Sequence, residues 1–350
     1  MRSLFSNLFA CTIVIYGARA HAEPTVPAAV MQVAKAQIAR GAIEAPIRFL
    51  ASDALEGRGP ATRGDALARL YLATELESLG YRPAGPNGQW QQPFDLVGIK
   101  TEAPAIWHFG SVDFKWSDDY IGSSGVQAPA TSIDDAEVVF VGYGIQAPEY
   151  KWDDFKGAKL ENKVLLMLNN DPDWDDQLFA GRTRLYYGRW TYKYESAAKQ
   201  KAAAAIIIHT TPSAGYPWQV VQSSWSGEQF ELPAEGEARV KFRAWATEAA
   251  ARRLVQASGH DLDELIKAAR SRDFKPIPLG IHTSIQLKAT ISKVQTANVA
   301  GVLRGSDPKL SSEVVVYSAH HDHFGIGQPD KSGDRIYNGA EDNAAGCAQL

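Results

Sequence analysis

The chain has 350 residues, of which 45% are hydrophobic and 22% charged, and its formal net charge at pH 7 is −4. This composition is typical of a globular protein, and the length allows two domains or one large one. Because no basic stripe is available to neutralise phosphates, neither nucleic acid nor an anionic membrane surface is expected as a partner.

The first 22 residues predict a secretory signal peptide. Arg2 precedes the apolar run "LFACTIVIYG", which is too short to span a bilayer, and "ARAHA" then offers cleavage sites after Ala20 and Ala22. We expect cleavage after Ala22 and a periplasmic or secreted location. Cys347 is then the only cysteine of the mature chain, so no internal disulfide is expected, and no other apolar run is long enough for a membrane span.

Residues 23–112 predict an N-terminal helical segment. Leu72, Leu76 and Leu79 recur on one face of a helix, and Asp65 is expected to cap its start. The glycine-rich stretch "DALEGRGPATRGD" lacks the Lys-Ser/Thr of a phosphate-binding loop, so we interpret it as structural.

Residues 113–290 predict a β-rich middle domain. The short apolar runs "AEVVFVGYGI", "NKVLLMLNN" and "AAAAIIIHTT" are typical of buried strands, and a helix predicted at "AAKQKAAAA" makes the last two a βαβ unit. The stretch "TEAAARRLVQASGHDLDELIKAAR" predicts a further helix, and "IPLGIHTSIQLKATISKV" predicts extended strands. We expect the aromatic loop "GRTRLYYGRWTYKYES" to pack on the protein rather than to act as a substrate lid.

Residues 291–350 predict the start of another domain. "TANVAGVLRG" and "EVVVYSAHHDH" are predicted strands, a polar glycine-rich loop follows, and "AAGCAQL" predicts the first turns of a helix. The second of these strands ends on the densest histidine cluster of the chain.

That cluster, "HHDH", is the main candidate site. Side chains alternate along a strand, so His320 and Asp322 are expected to point one way and His321 the other. An imidazole nitrogen can bind zinc, and a nearby carboxylate can fix its tautomer. Asp342, in "GAEDNAAG", could bridge two metal ions, which in two-metal sites together activate a water molecule.

A plain structural interpretation and a rival metal motif compete with this two-metal site. A single histidine is more often a surface or core residue, and we interpret His108, His209, His260 and His282 in that way. "HHDH" also partly matches the His-x-His-x-Asp-His motif of metallo-β-lactamase-like hydrolases. That motif needs a histidine where Ser318 stands, and it gives no role to "DNAAG".

The stretch "TANVAGVLRGSDPKL…EVVVYSAHHDHFG…IYNGAEDNAAG" resembles the start of the catalytic domain of the two-zinc aminopeptidase family related to glutamate carboxypeptidase and the transferrin receptor. "FLASDALEGRGPATRGDALARLYLATELESLGYRPAG" is similar to that family's N-terminal helical segment. "VFVGYGIQAPEYKWDDFKGAKLENKVLLMLNNDP" is similar to the protease-associated domain inserted in many members. The resemblance implies an α/β fold, in which a mixed-sheet zinc-peptidase domain, present only in its N-terminal part, contains an inserted β-rich protease-associated domain.

The resemblance also implies roles for individual residues. His320 would bind one zinc ion, Asp322 would orient and polarise His320 as part of the catalytic machinery, and Asp342 would bridge two zinc ions. Asn343 and Gly346 would shape the start of the following helix. Three neighbours depart from the family's usual residues, although none of them is a ligand: Glu341, Ala345 and Cys347.

The family further uses an adjacent Glu-Glu pair, a later acidic ligand and a last histidine ligand, all downstream, and the 350 residues contain no Glu-Glu pair. Without that general base, nothing evident would take a proton from water. We therefore expect this chain to be an inactive N-terminal fragment of a longer peptidase.

Two functions of different classes follow. The first is an exported zinc-dependent metallopeptidase, an aminopeptidase that hydrolyses peptide substrates with a water activated by two metal ions. The second is a non-catalytic, receptor-like binding protein on the same fold. A Glu-Glu pair encoded beyond codon 350 would favour the first.

Overall fold

The computed structural model describes residues 28–350, so the predicted signal peptide lies outside the described residues. The α-helices of this part are α1 (Ala28–Gln37), α2 (Arg40–Leu50), α3 (Arg63–Ser78), α4 (Trp190–Lys199), α5 (Thr211–Ala214), α6 (Trp218–Trp225), α7 (Glu248–Ala257), α8 (Leu262–Ala268) and α9 (Gly346–Gln349). Short 3₁₀ turns lie at Asp53–Arg58, Pro86–Gly88, Pro148–Tyr150 and Tyr186–Gly188, and a π-helical turn at Ala340–Ala345. None of these helices is long and apolar enough to span a membrane.

The strands are β1 (Arg82–Pro83), β2 (Gln91–Glu102), β3 (Ile106–Phe109), β4 (Val112–Lys115), β5 (Tyr120–Ser124), β6 (Ala130–Phe140), β7 (Gln146–Ala147), β8 (Trp152–Asp153), β9 (Val164–Leu168), β10 (Ala204–His209), β11 (Gln229–Glu231), β12 (Phe242–Thr247), β13 (Ile277–Val299), β14 (Gly301–Val302), β15 (Gly325–Ile326) and β16 (Ile336–Tyr337). Ten of them form one mixed sheet in the order β11-β2-β13-β6-β9-β10-β12-β5, with β3 also paired to β13 and β4 paired to β3. Strands β6, β9, β10 and β12 are parallel, and the other pairs are antiparallel. The predicted α/β fold with a mixed sheet is confirmed.

The sheet curls until β5, at one end, lies beside β2, next to the other end. The Thr101 hydroxyl on β2 lies 3.2 Å from the Ser123 hydroxyl on β5, and it accepts a hydrogen bond of 2.9 Å from the Ser124 amide. We call this curled sheet, with α4 and α6–α8 packed on it, the barrel.

The barrel holds the main hydrophobic core. Every residue of β9 and β10 is buried. Parallel strands are covered on both faces, which is why their sequences are nearly continuous apolar runs. The predicted βαβ unit is present as β9–α4–β10, with β9 and β10 in parallel pairing, but its helix covers Trp190–Lys199 and so begins inside the predicted aromatic loop rather than at "AAKQKAAAA". Aromatic side chains fill one side of the sheet, where Trp107 packs edge-on against Tyr120 and Phe242.

A two-stranded ribbon leads out of the barrel. Strand β13 pairs with β6 along its first half and with β2 from Lys288 to Val299. Residues 91–102 and 106–109 are strands, so the prediction of a helical segment over 23–112 is wrong from Gln91 onward. The sheet spans 91–299, which is wider than the predicted middle domain; the domain boundaries themselves stay predictions.

Two further element predictions need correction. The run "EVVVYSAHHDH" is not a strand, because no described strand lies beside it, and Val314 to Tyr317 are each 78–79% exposed. The helix predicted across 247–270 is two helices, since Gly259 adopts φ = +79° between α7 and α8. The predicted helix in "AAGCAQL" is present as α9.

Candidate metal centre

A second, much smaller core brings the two ends of the described chain together. It forms between α2, the Asp53–Arg58 turn, α3 and the Ala340–Ala345 turn. Its buried apolar residues are Leu50, Leu55, Ala68 and Ala344. The candidate ligands lie beside this core, and we call this part of the molecule the site module.

The structure brings the three predicted site residues together. His320 Nε2 lies 2.9 Å from Asp342 Oδ1. On the other side of the ring, His320 Nδ1 lies 3.1 Å from the Asp322 carbonyl oxygen and 3.6 Å from its Oδ1. All three side chains are partly open to solvent, Asp342 the most, with 66% of its side chain exposed. The cluster is thus both assembled and accessible.

This geometry leaves a place for a cation. If the Nδ1 proton of His320 is donated to the Asp322 carbonyl, Nε2 carries a lone pair. That lone pair faces a carboxylate oxygen of Asp342, which is also an acceptor. A proton or a metal ion between Nε2 and Oδ1 would remove the repulsion between these two acceptors. Imidazole and carboxylate are both zinc ligands.

The donor set is incomplete within residues 28–350. No group of three or more His, Cys, Asp or Glu residues in this range converges in a way that could hold a metal ion. His320 and Asp342 provide two donors, whereas a catalytic zinc usually takes three from the protein.

The side chain of His321 reaches a partner far back in the chain; the alternation predicted for a strand does not apply, because this segment is not a strand. Its Nε2 lies 2.8 Å from Oδ1 of the fully buried Asp65. Asp65 also accepts hydrogen bonds from the Thr296 hydroxyl (2.8 Å) and the Ala61 amide (3.1 Å). Burial alone would raise the pKa of Asp65, but the hydrogen bonds from His321 and Thr296 and the charge of Arg69 hold it below its ordinary value.

Asp65 is available for this role because it does not cap α3. The cap is Thr62, whose hydroxyl accepts from the Asp65 amide. The prediction that Asp65 caps the helix is wrong, and its side chain instead joins the histidine segment to the β13 ribbon.

Sequence reasoning gave Asp65 the wrong role and gave Arg58 no role at all. Its side chain is fully buried, and its guanidinium donates only to main-chain carbonyl oxygens. These acceptors are His321 (2.7 Å), Asn338 (2.7 Å), Gly339 (3.0 Å) and Leu50. Burial lowers the pKa of Arg58, while the charges of Asp322 and Asp342 act to raise it.

The turn that carries Arg58 needs its glycines. Gly57 adopts φ = +68°, and a Cβ there would lie 2.5 Å from the Gly325 carbonyl oxygen and 2.6 Å from that of Tyr337. The glycine density of "LEGRGPATRGD" was therefore a usable signal of close backbone approach. This close packing of Gly57 against Gly325 and Tyr337 is a structural role for the stretch.

Cys347 is one of the departures from the family pattern, and it lies close to the site. Its thiol donates to the His320 carbonyl at 3.3 Å, and burial raises the pKa of the thiol. It thus supports the main chain of a candidate ligand.

Three of the isolated histidines lie in strands of the barrel. His108 pairs with Asp113, and His282 with Asp135. His209 is buried and faces the Tyr216 carbonyl at 3.1 Å. In the aromatic stretch, Tyr192 and Tyr194 are buried in α4, whereas Tyr186 and Trp190 are 54% and 38% exposed, so the expected packing is only partly observed.

Comparison with known proteins gives one family match. Residues 298–350 match the sequence model of Peptidase family M28. This range contains all three predicted site residues. No curated protein matches the chain.

Several solved structures are similar to the chain. An aminopeptidase from Aneurinibacillus sp. strain AM-1 is 17% identical, with 88% of this chain and 56% of that chain covered and a TM-score of 0.38. BSAP, a zinc aminopeptidase from Bacillus subtilis, is 13% identical, with coverages of 87% and 54% and a TM-score of 0.34. A Peptidase M28 precursor from Shewanella amazonensis SB2B is 16% identical, with coverages of 91% and 62% and a TM-score of 0.41. The chain spans between 54% and 62% of the length of these proteins.

Proposed function

We propose that this chain carries part of the zinc site of an exported, zinc-dependent peptidase with aminopeptidase action. The observation that supports this most is the pair of donors, His320 Nε2 and Asp342 Oδ1, held 2.9 Å apart. The match of residues 298–350 to Peptidase family M28 supports the same reaction class.

The two donors suit zinc in type and spacing. Two ligands of a tetrahedral zinc ion with bonds of 2.0–2.1 Å lie about 3.3 Å apart, within a few tenths of an ångström of the observed separation. When bound, zinc would polarise the carbonyl of the scissile peptide bond and lower the pKa of a water molecule. Further ligands would have to come from outside the cluster that residues 28–350 assemble.

Each of the three residues has a distinct part in this proposal. His320 and Asp342 would bind the ion, and the main-chain carbonyl of Asp322, 3.1 Å from Nδ1, would hold that side of His320 so that Nε2 faces the metal; the Asp322 carboxylate lies 3.6 Å from Nδ1. Asp342 is the most exposed of the three and has a second carboxylate oxygen, which could bind a second zinc ion. That arrangement would make it the bridging ligand of a two-metal site.

The substrate proposed is a peptide with a free amino end. This assignment follows the family resemblance. The metallo-β-lactamase-like alternative is weaker, because it gives no role to Asp342, the residue that faces His320. A non-catalytic binding protein on the same fold is the second candidate, and the observation that favours it is the incomplete donor set.

Zinc content and aminoacyl-anilide hydrolysis would test the proposal, measured on this chain and on the longest reading frame that encodes it. We expect His320→Ala to lose zinc, and His282→Ala to retain it, because His282 also pairs with an aspartate but lies on the barrel. If the longer protein binds zinc and cleaves, the peptidase proposal stands. A longer protein that is folded, metal-free and inactive would overturn it in favour of the binding protein.

A further inference from the structure

Arg58 is an unusual buried cation. Its side chain has no solvent exposure, and it forms no ion pair with a carboxylate anywhere in residues 28–350. All its hydrogen bonds go to main-chain carbonyl oxygens instead. Burying a guanidinium is costly unless its donors are satisfied, so this set of acceptors is what holds the charge inside.

The acceptors come from three separate parts of the chain. Nε donates to the carbonyl of His321, the residue next to His320. Nη1 and Nη2 donate to the carbonyls of Asn338 and Gly339, directly before the turn that carries Asp342. The remaining bond, from Nη1, goes to Leu50 at the end of α2. One side chain therefore ties both candidate ligand segments to the N-terminal helices.

The main chain of the same residue adds to this attachment. The carbonyl oxygen of Arg58 accepts a hydrogen bond of 3.1 Å from the His323 amide. The His320–His323 segment is thus attached to Arg58 twice, once through the side chain and once through the backbone. In residues 314–323 no strand ladder holds this segment in place.

We infer that Arg58 is a positioning residue for the metal site: it fixes the His320 segment and the Asp342 turn at metal-binding separation before any metal binds. This inference rests on the proposed function, because it takes His320 and Asp342 as the ligands. Arg58 itself does not contact the metal.

The geometry requires arginine rather than any cation. The guanidinium is planar and donates from three nitrogens in fixed directions, whereas a lysine ammonium is a single point on a flexible stem. A lysine at position 58 would keep the charge near Asp322 and Asp342 but could not reach all four carbonyls. Arg58→Lys therefore keeps the positive charge but removes the planar set of donors.

The test is a titration of the full chain with Co²⁺, followed by the visible ligand-field spectrum and by the dissociation constant. We expect Arg58→Ala and Arg58→Lys to bind Co²⁺ roughly 10- to 100-fold more weakly than the original chain, the range seen when outer partners of metal ligands are removed. Circular dichroism would report whether each variant is folded. If Arg58→Ala does not fold, the affinity and the spectrum of Arg58→Lys are compared with those of the original chain.

Chemical rescue separates positioning from general stability. Guanidinium ion at tens of millimolar should restore Co²⁺ binding to Arg58→Ala, while methylammonium at the same concentration should not. The matched control is Arg243→Lys, because Arg243 is a half-buried arginine of the barrel that also donates to a main-chain carbonyl, that of Ser124. It should bind Co²⁺ like the original chain.

The outcomes are distinguishable. Folded Arg58 variants with the original affinity and spectrum would overturn the inference and leave the proposed zinc site intact. If the original chain and the longer reading frame both fail to bind Co²⁺, the proposed function fails and the inference falls with it.

Discussion

The barrel and the site module are stabilised in different ways. The barrel buries several dozen apolar side chains in two large clusters, and its strands pair over most of their length. The site module buries only four apolar residues and relies on two charged side chains, Arg58 and Asp65, to connect distant segments. Apolar burial is non-directional, whereas hydrogen bonds fix direction. The barrel therefore provides stability, and the site module fixes the positions of the candidate ligands.

The largest expected effect is in the barrel core. Phe242 is fully buried and packs against Trp107 and Tyr120. Phe242→Ala should lower the free energy of unfolding by about 3–5 kcal/mol, because it removes the buried ring and leaves a cavity. Urea unfolding followed by tryptophan fluorescence measures this. A loss below about 1 kcal/mol would mean that the barrel is not the main source of stability.

The next effect is in the site module and should stay local. Asp65→Asn removes the charge that pairs with His321 and leaves an amide facing the donors of Thr296 and Ala61. Leaving a buried hydrogen-bonding group without its partner costs roughly 1–3 kcal/mol. Hydrogen exchange should speed up in residues 53–65 and 318–345 and stay unchanged in β9 and β10. Equal loss of protection in β9 and β10 would contradict the division into two regions.

A glycine substitution sharpens the role of backbone contact. Gly57→Ala should destabilise the site module by about 2 kcal/mol or more, because of the positive φ and the collision with two carbonyl oxygens. Gly80→Ala is the matched control: Gly80 has φ = +84° with open space around it, so only the backbone cost of about 1 kcal/mol is expected. Equal losses in the two variants, measured by thermal unfolding, would argue against close packing at Gly57.

The smallest effect is a pH dependence of the barrel. Burial lowers the pKa of His209, so the folded state resists protonation of this ring. The unfolded chain then binds more protons between the lowered pKa and about 6.5, and stability should fall as the pH falls through that window. Between pH 7 and pH 5, the urea midpoint of unfolding should fall less for His209→Asn than for the original chain. Parallel pH profiles would show that His209 is not responsible.

Local patterns predicted the elements that depend on local signals. The runs that became β9 and β10 were apolar and rich in branched residues, and the helix between them completed the βαβ unit. The ligand candidates were also local, since "HHDH" and "DNAAG" each stand out in the sequence and the resemblance connects them. The structure then places His320 and Asp342 side by side.

The strand errors and the two missed contacts share one physical cause, which is dependence on distant partners. "EVVVY" has high β-propensity, but a strand also needs a neighbour, and none is present among residues 28–350. Residues 91–102 were missed as a strand because their partner is 288–299, far along the chain. Arg58 and Asp65 contact the histidine segment across more than 250 residues, which no local pattern reveals.

The central claim is that His320 and Asp342 bind the same metal ion. The most direct measurement is a double-mutant cycle of Zn²⁺ affinity with the original chain, His320→Ala, Asp342→Ala and the double variant, using a competing chelator. We predict that each single change weakens binding at least tenfold, about 1.4 kcal/mol, and that the double change costs clearly less than the sum. Four equal affinities, or strictly additive losses, would contradict a shared ion.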